Sequence, residues 1–149
     1  MTLKTTILED LNMARINKGL LPLKPDKRLM ATAQQHAEFM NKKQALSHSG
    51  AKLLTLHPGV SKSAQASDFA DRIRATGYLF SIAAENIALG SVDAAGLVRL
   101  WMNSPPHRDN ILNARVTDMG IGFSEPDTPE TTILRYWSLS LAAPIKSVP

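Results

Sequence analysis

Apolar positions recur at helical spacing through the first third of the chain. Ile7, Leu8, Leu11, Ala14 and Lys18 fall near one stripe, and Gly19 is a natural stop. Leu20 to Pro25 holds two prolines and reads as an extended connector, because the residue before a proline avoids the helical region. Asp26 is placed to cap a second helix whose apolar face is Leu29, Met30, Ala33, Ala37 and Met40. His36 lies beside that face and reads as a packed, hydrogen-bonded core histidine rather than a ligand.

The pattern then breaks. Ser47 to Ala66 carries Gly50, Pro58 and Gly59 and has no period, as expected either of a mobile stretch or of a site loop on a rigid frame. His57 reads as an exposed loop histidine. Ser67 is expected to cap a short helix over Asp68–Thr76, with Phe69 and Ile73 inward and Gly77 as terminator. Tyr78 to Ala88 fits a short strand or an irregular buried segment. Ser91 is expected to cap a helix with Leu97, Leu100 and Trp101 on its apolar side, and Asp93 favourable to the dipole in its first turn. Ser104-Pro105 is a fresh cap with proline at the first helical position, which puts His107, Asn110 and Ile111 on one side of a short helix.

The period then changes from helical to two. Thr117–Ser124 and Thr132–Ala142 alternate as strands and can pair as an antiparallel hairpin through a longer loop. Helices, a site loop, more helices and a closing hairpin predict an α+β domain with helices packed on an antiparallel sheet. One domain over 1–149 is expected, with its core at about 5–143 and a short tail.

Composition narrows the function classes. There is no cysteine, which excludes disulfides, thiolate chemistry and cysteine-ligated zinc. Net charge is +4, from 17 basic and 13 acidic residues, and the basic residues are scattered; Lys42-Lys43 and Arg72/Arg74 are the nearest to clusters. With aromatics at only 5%, stacking platforms are lacking, so no nucleic-acid partner is expected. No apolar stretch approaches a membrane span. Met1–Thr6 lacks the apolar core and cleavage site of a signal peptide, which leaves a cytosolic protein or a leader removed ahead of Met1.

The candidate chemistry is two distant histidines with an acid between them: His48 in Ser47-His48-Ser49-Gly50, Glu85 in Ala84-Glu85-Asn86-Ile87-Ala88, and His107 in Ser104-Pro105-Pro106-His107-Arg108. If folding joins them, they can bind a metal, move protons or orient a polar ligand. Neutral imidazoles of His48 and His107 are good zinc ligands, and Glu85 could be a third ligand or could orient one imidazole by a hydrogen bond. Zinc or another divalent metal would then be weakly held, with water completing the shell. The competing reading is a Glu85–histidine bond and an Asn86 tie that only hold the loops together.

Taken in order, these segments resemble the CAP superfamily (cysteine-rich secretory protein, antigen 5, pathogenesis-related 1), in its bacterial SCP-like form. The resemblance rests on Leu11-Asn12 with Arg15, Gly19-Leu20 with Pro22-Leu23, and Leu29, Ala33, His36-Ala37 and Met40. It continues through Ser47-His48, Glu85-Asn86-Ile87-Ala88 with Gly90, Trp101 to Pro105 with His107-Arg108 and Asn110 to Leu112, Met119 to Gly122, and Tyr136-Trp137. It implies an α-β-α sandwich with a central antiparallel sheet, and a surface cleft holding two histidines and two acids. His48, Glu85 and His107 carry over; the second acid is Ser104 here, so the cleft set is His48, Glu85, Ser104 and His107. Ala84 and Pro106 stand where glycine is usual, which is compatible only if neither position needs positive φ.

Three function classes follow from the resemblance and the residues. The first is a non-enzymatic, monomeric binding module for a small molecule, lipid, glycan or peptide. The second is a metal-assisted peptidase or esterase with Glu85 as base. The third is an interaction domain with an idle cleft. The resemblance implies secretion or residence in the cell envelope.

Overall fold

A computed structural model describes residues 2–51, 68–124 and 132–146. In chain order the elements are α1 (Leu3–Ile16), β1 (Lys24–Pro25), α2 (Lys27–Lys43), α3 (Phe69–Ala75), β2 (Phe80–Gly90), α4 (Ala94–Met102), α5 (Pro105–Ile111), β3 (Asp118–Phe123) and β4 (Arg135–Pro144). His57, Ser67 and the tail from 147 lie outside the described residues.

Helix boundaries follow local chemistry, with two corrections. Asp26 caps α2 as expected, accepting from the amides of Arg28 and Leu29. The cap of α3 is Asp68, which accepts from the Asp71 amide. The cap of α4 is Asp93, accepting from Gly96, and not Ser91. In both corrections a carboxylate beside the first turn supplies a charged acceptor that also suits the helix dipole. Gln44 closes α2 with φ 53°. It is the non-glycine residue with positive φ among those described, so Ala84 and Pro106 carry no such demand.

The sheet has strand order β1-β3-β4-β2. It is mixed rather than wholly antiparallel: β3–β4 and β4–β2 are antiparallel, while the connector residues Lys24 and Pro25 pair parallel with Asp118 and Met119. The second strand of the expected hairpin begins three residues later than its alternation suggested, at Arg135.

The two faces of the sheet are built differently. Met119, Ile121, Phe123, Trp137, Leu139 and Leu141 pack against Ile7 and Leu11 of α1 and Leu97 and Trp101 of α4. The opposite face presents Gly120 beside Ser140 and Gly122 beside Ser138. A Cβ at Gly120 would stand 2.0 Å from the Leu29 carbonyl carbon, and one at Gly122 would stand 2.3 Å from the Gln34 Cα. Small residues here let the α2 backbone lie directly on the sheet. Helices thus cover both faces, with α2 and α3 on one side and α1, α4 and α5 on the other.

Buried Arg15 of α1 ties the turns after α1 and α5 together. Its guanidinium donates to the carbonyls of Leu21, Ile111, Asn113 and Val116, which anchors the turn that follows α5.

Candidate functional site

The register of the sheet delivers the acid. Glu85 pairs with Ser140, which pairs in turn with Gly120, so Glu85 stands at the end of a row of small residues on the α2 side. Asn86, the next residue, projects to the other face because strand side chains alternate. Since β2 is an edge strand, segments from both faces reach it at the same border.

On the α2 side, Glu85 is almost fully buried, with 1% of its side chain exposed. Both carboxylate oxygens are engaged. Oε1 accepts from Nδ1 of His48 at 2.9 Å, and Oε2 pairs with Nη2 of Arg72 from α3. The loop bearing His48 is held by two further side chains. Arg72 Nη1 donates to the His48 carbonyl at 2.9 Å, and His36 Nε2 donates to the Ser47 carbonyl at 2.7 Å. His36 is the packed, hydrogen-bonded core histidine its position predicted.

On the other side, the amide of Asn86 donates to the His107 carbonyl at 3.0 Å and accepts from Asn110 at 2.9 Å. Buried Trp101 donates to the Ile87 carbonyl at 3.1 Å. These bonds fasten α4 and α5 to β2. Ser104 sits at the N-cap position of α5, but its hydroxyl does not cap the helix; it bonds His107 Nδ1 at 2.8 Å. Pro105 and Pro106 open the helix, where a missing N–H costs no intrahelical bond.

Both candidate histidines therefore use Nδ1 for an internal partner. A carboxylate only accepts, so His48 donates through Nδ1, and its neutral form carries the lone pair on Nε2. Neither Nε2 bonds another described residue. Slightly more than half of the His48 side chain is exposed, at 55%.

The electrostatics separate the three imidazoles. The Glu85 hydrogen bond raises the His48 pKa above the ordinary imidazole value, against partial burial. Burial lowers that of His107, and the charge of His48 lowers it further. Burial, then Arg72, lowers that of His36.

All four residues expected in the cleft thus form two bonded pairs, His48–Glu85 and Ser104–His107, on one border of the sheet. Arg72 was not foreseen as part of the site. The available signal was its place on the inward stripe of α3, three residues after Phe69 and beside Ile73.

The family model described as CAP, cysteine-rich secretory protein family, matches residues 8–138. The chain belongs to this family. The Bacillus subtilis (strain 168) protein YkwD is 32% identical over 119 residues, which are 80% of this chain and 41% of YkwD. The CAP chain thus spans less than half the length of that relative. Among solved structures, an extracellular protein containing an SCP domain from Bacillus anthracis str. Ames matches with TM-score 0.73 and 23% identity, covering 95% of this chain and 40% of that one. An outer surface protein of Borrelia burgdorferi matches with TM-score 0.75 and 16% identity, covering 95% of this chain and 92% of that one. These likenesses establish the CAP fold for the chain. No helix among the described residues is long and apolar enough to cross a membrane.

Proposed function

We propose that this CAP domain is a monomeric, non-enzymatic binding module of the cell exterior or envelope. Its histidine cleft takes a divalent metal weakly, or the polar part of a small-molecule, lipid, glycan or peptide ligand. The observation that carries this reading is the pairing of each Nδ1 with an internal partner, Glu85 for His48 and Ser104 for His107. Fixing one ring nitrogen leaves the other to face a ligand, as orienting partners do for metal-binding histidines.

The residues fit an open metal site and not a closed one. His48 and His107 would hold the ion through Nε2. No group of three or more His, Cys, Asp or Glu side chains able to hold a metal occurs among the described residues. Two imidazoles completed by water make a weak site, since structural zinc normally takes four protein ligands. An extracellular setting is supported by the extracellular and outer-surface structures whose fold this chain shares.

The engagement of Glu85 weighs against hydrolysis. A general base needs a lone pair within reach of water. Each oxygen of this carboxylate already has a partner, His48 or Arg72, and with 1% of the side chain exposed the lone pairs that remain are shielded from water. Glu85 is therefore an orienting residue in this reading.

Calorimetry with zinc at pH 7.5 and pH 5.5 tests it. The intact chain should bind with modest affinity at the higher pH and lose binding at the lower one, where His48, its pKa raised by Glu85, is protonated. The paired substitution His48→Ala with His107→Ala should abolish binding without unfolding the chain; equal binding by that variant removes the site. Peptide or ester turnover that stops with chelator and with Glu85→Gln would restore the hydrolase reading.

A further inference from the structure

A cavity of about 250 Å³ lies between α2 and α3, and two of its lining residues, His36 and Arg72, also border Glu85. His36 and Phe39 of α2 and Ala75 of α3 supply most of its apolar wall, with Ala51. The two rings stack, with centroids 6.3 Å apart and planes 17° apart. Thr32 and Gln35 also line it, and neither side chain bonds another described residue. His36 adds an unspent acceptor: its Nε2 is committed to the Ser47 carbonyl, while its buried Nδ1 has no hydrogen-bond partner among the described residues. Buried polar atoms are normally paired, but this one is closed off beside Gly50, so the accessible polar groups of the wall are those of Thr32 and Gln35.

We propose that this cavity is a binding site for a small neutral ring alcohol of about phenol size, separate from the histidine cleft. Size sets the first limit. An apolar cavity of about 150 Å³ accepts benzene, so this one has room for a six-membered ring and a short substituent. Charge sets the second. Arg72 is the one charged residue among the described lining residues, and Glu85 already neutralises it. Burial and Arg72 both favour the neutral form of His36, so the described part of the wall carries no net charge for an ion to answer. Polarity sets the third. A sugar ring, with hydroxyls on every edge, would leave most of them unpaired against Phe39 and the alanines, whereas a single hydroxyl can be met by Thr32 or Gln35.

Nuclear magnetic resonance titration of the whole chain with phenol tests this. The amide signals of Thr32, Gln35, Ala75 and Thr76 should shift saturably, with a Kd of about 1–5 mM, the range open to a seven-heavy-atom ligand. Cyclohexanol should compete for the same signals. Benzoate should bind at least about tenfold more weakly, by about 1.4 kcal/mol, and glucose should produce no saturable shift. The substitution Ala75→Phe fills the cavity from a half-buried position and should abolish the phenol shifts. Three results overturn the proposal: no saturable shift at these residues, shifts centred on Ser104 and His107 instead, or unchanged phenol binding by folded A75F. If A75F does not fold, failure of cyclohexanol to compete with phenol overturns it equally. The outcome does not depend on zinc binding, so it stands or falls apart from the histidine cleft.

Discussion

Replacing Arg72 with methionine isolates the interaction on which the His48 side of the site rests. In the folded chain Arg72 pairs with Glu85, whose side chain is 1% exposed. Arg72→Met keeps much of the side-chain volume but leaves the carboxylate buried beside the imidazoles of His48 and His36, without its guanidinium. Breaking a buried pair from one side costs about 3–5 kcal/mol, because the remaining charge stays desolvated. In a domain of this size that lowers Tm by about 6–20 °C. Glu85→Gln removes the carboxylate charge facing the guanidinium and should cost a similar amount. The double substitution removes both charges, so its loss should fall short of the summed single losses by about 1–3 kcal/mol. Urea unfolding followed by the fluorescence of buried Trp101 and Trp137 measures all four chains. The losses adding to within about 0.5 kcal/mol would show that Arg72 and Glu85 are not energetically paired, and the account of how the His48 loop is held would be wrong.

Other consequences are equally specific. In a proton titration followed by NMR, His48 should titrate above 6.5 and both His107 and His36 below it; His48 titrating last on acidification would contradict the Glu85 bond. The signs for stability are opposite. The raised His48 pKa adds stability that is full below 6.5 and lost as pH climbs through the folded value. The lowered His36 pKa adds stability that is full above 6.5 and lost as pH falls toward the folded value, so His48→Ala should flatten the alkaline side of the profile alone. Gly120→Ala drives a methyl into the Leu29 backbone and should cost about 3 kcal/mol or more, at or beyond the upper end for overpacking; a wild-type melting temperature would refute the close contact with α2. Ser104→Ala should weaken zinc binding by about tenfold with Tm unchanged, since it removes only the orienting partner of His107.

Local chemistry was legible in the chain itself. The α2 stripe and its Asp26 cap, the Ser104-Pro105 start of α5 and the period-two runs of β3 and β4 all follow from contacts within a few residues. So does the core assignment of His36, which lies near an apolar stripe. The ordered motifs also pointed to the family, because each constrains its own short segment. Where two acceptors competed for one helix end, as with Ser91 and Asp93, spacing alone could not choose, and the carboxylate nearer the first turn prevailed.

Tertiary structure decided the rest. The parallel pairing of β1 with β3 and the edge position of β2 join residues about ninety or about fifty positions apart, and no local period encodes such partners. Arg72 became part of the site only when α3 docked against β2, which turned a basic residue in a short helix into the counter-charge of Glu85. The sequence named the histidines and the acid. Long-range packing, which alone determines burial and thus the strength of each charge interaction, set which of them bond and which nitrogens stay free.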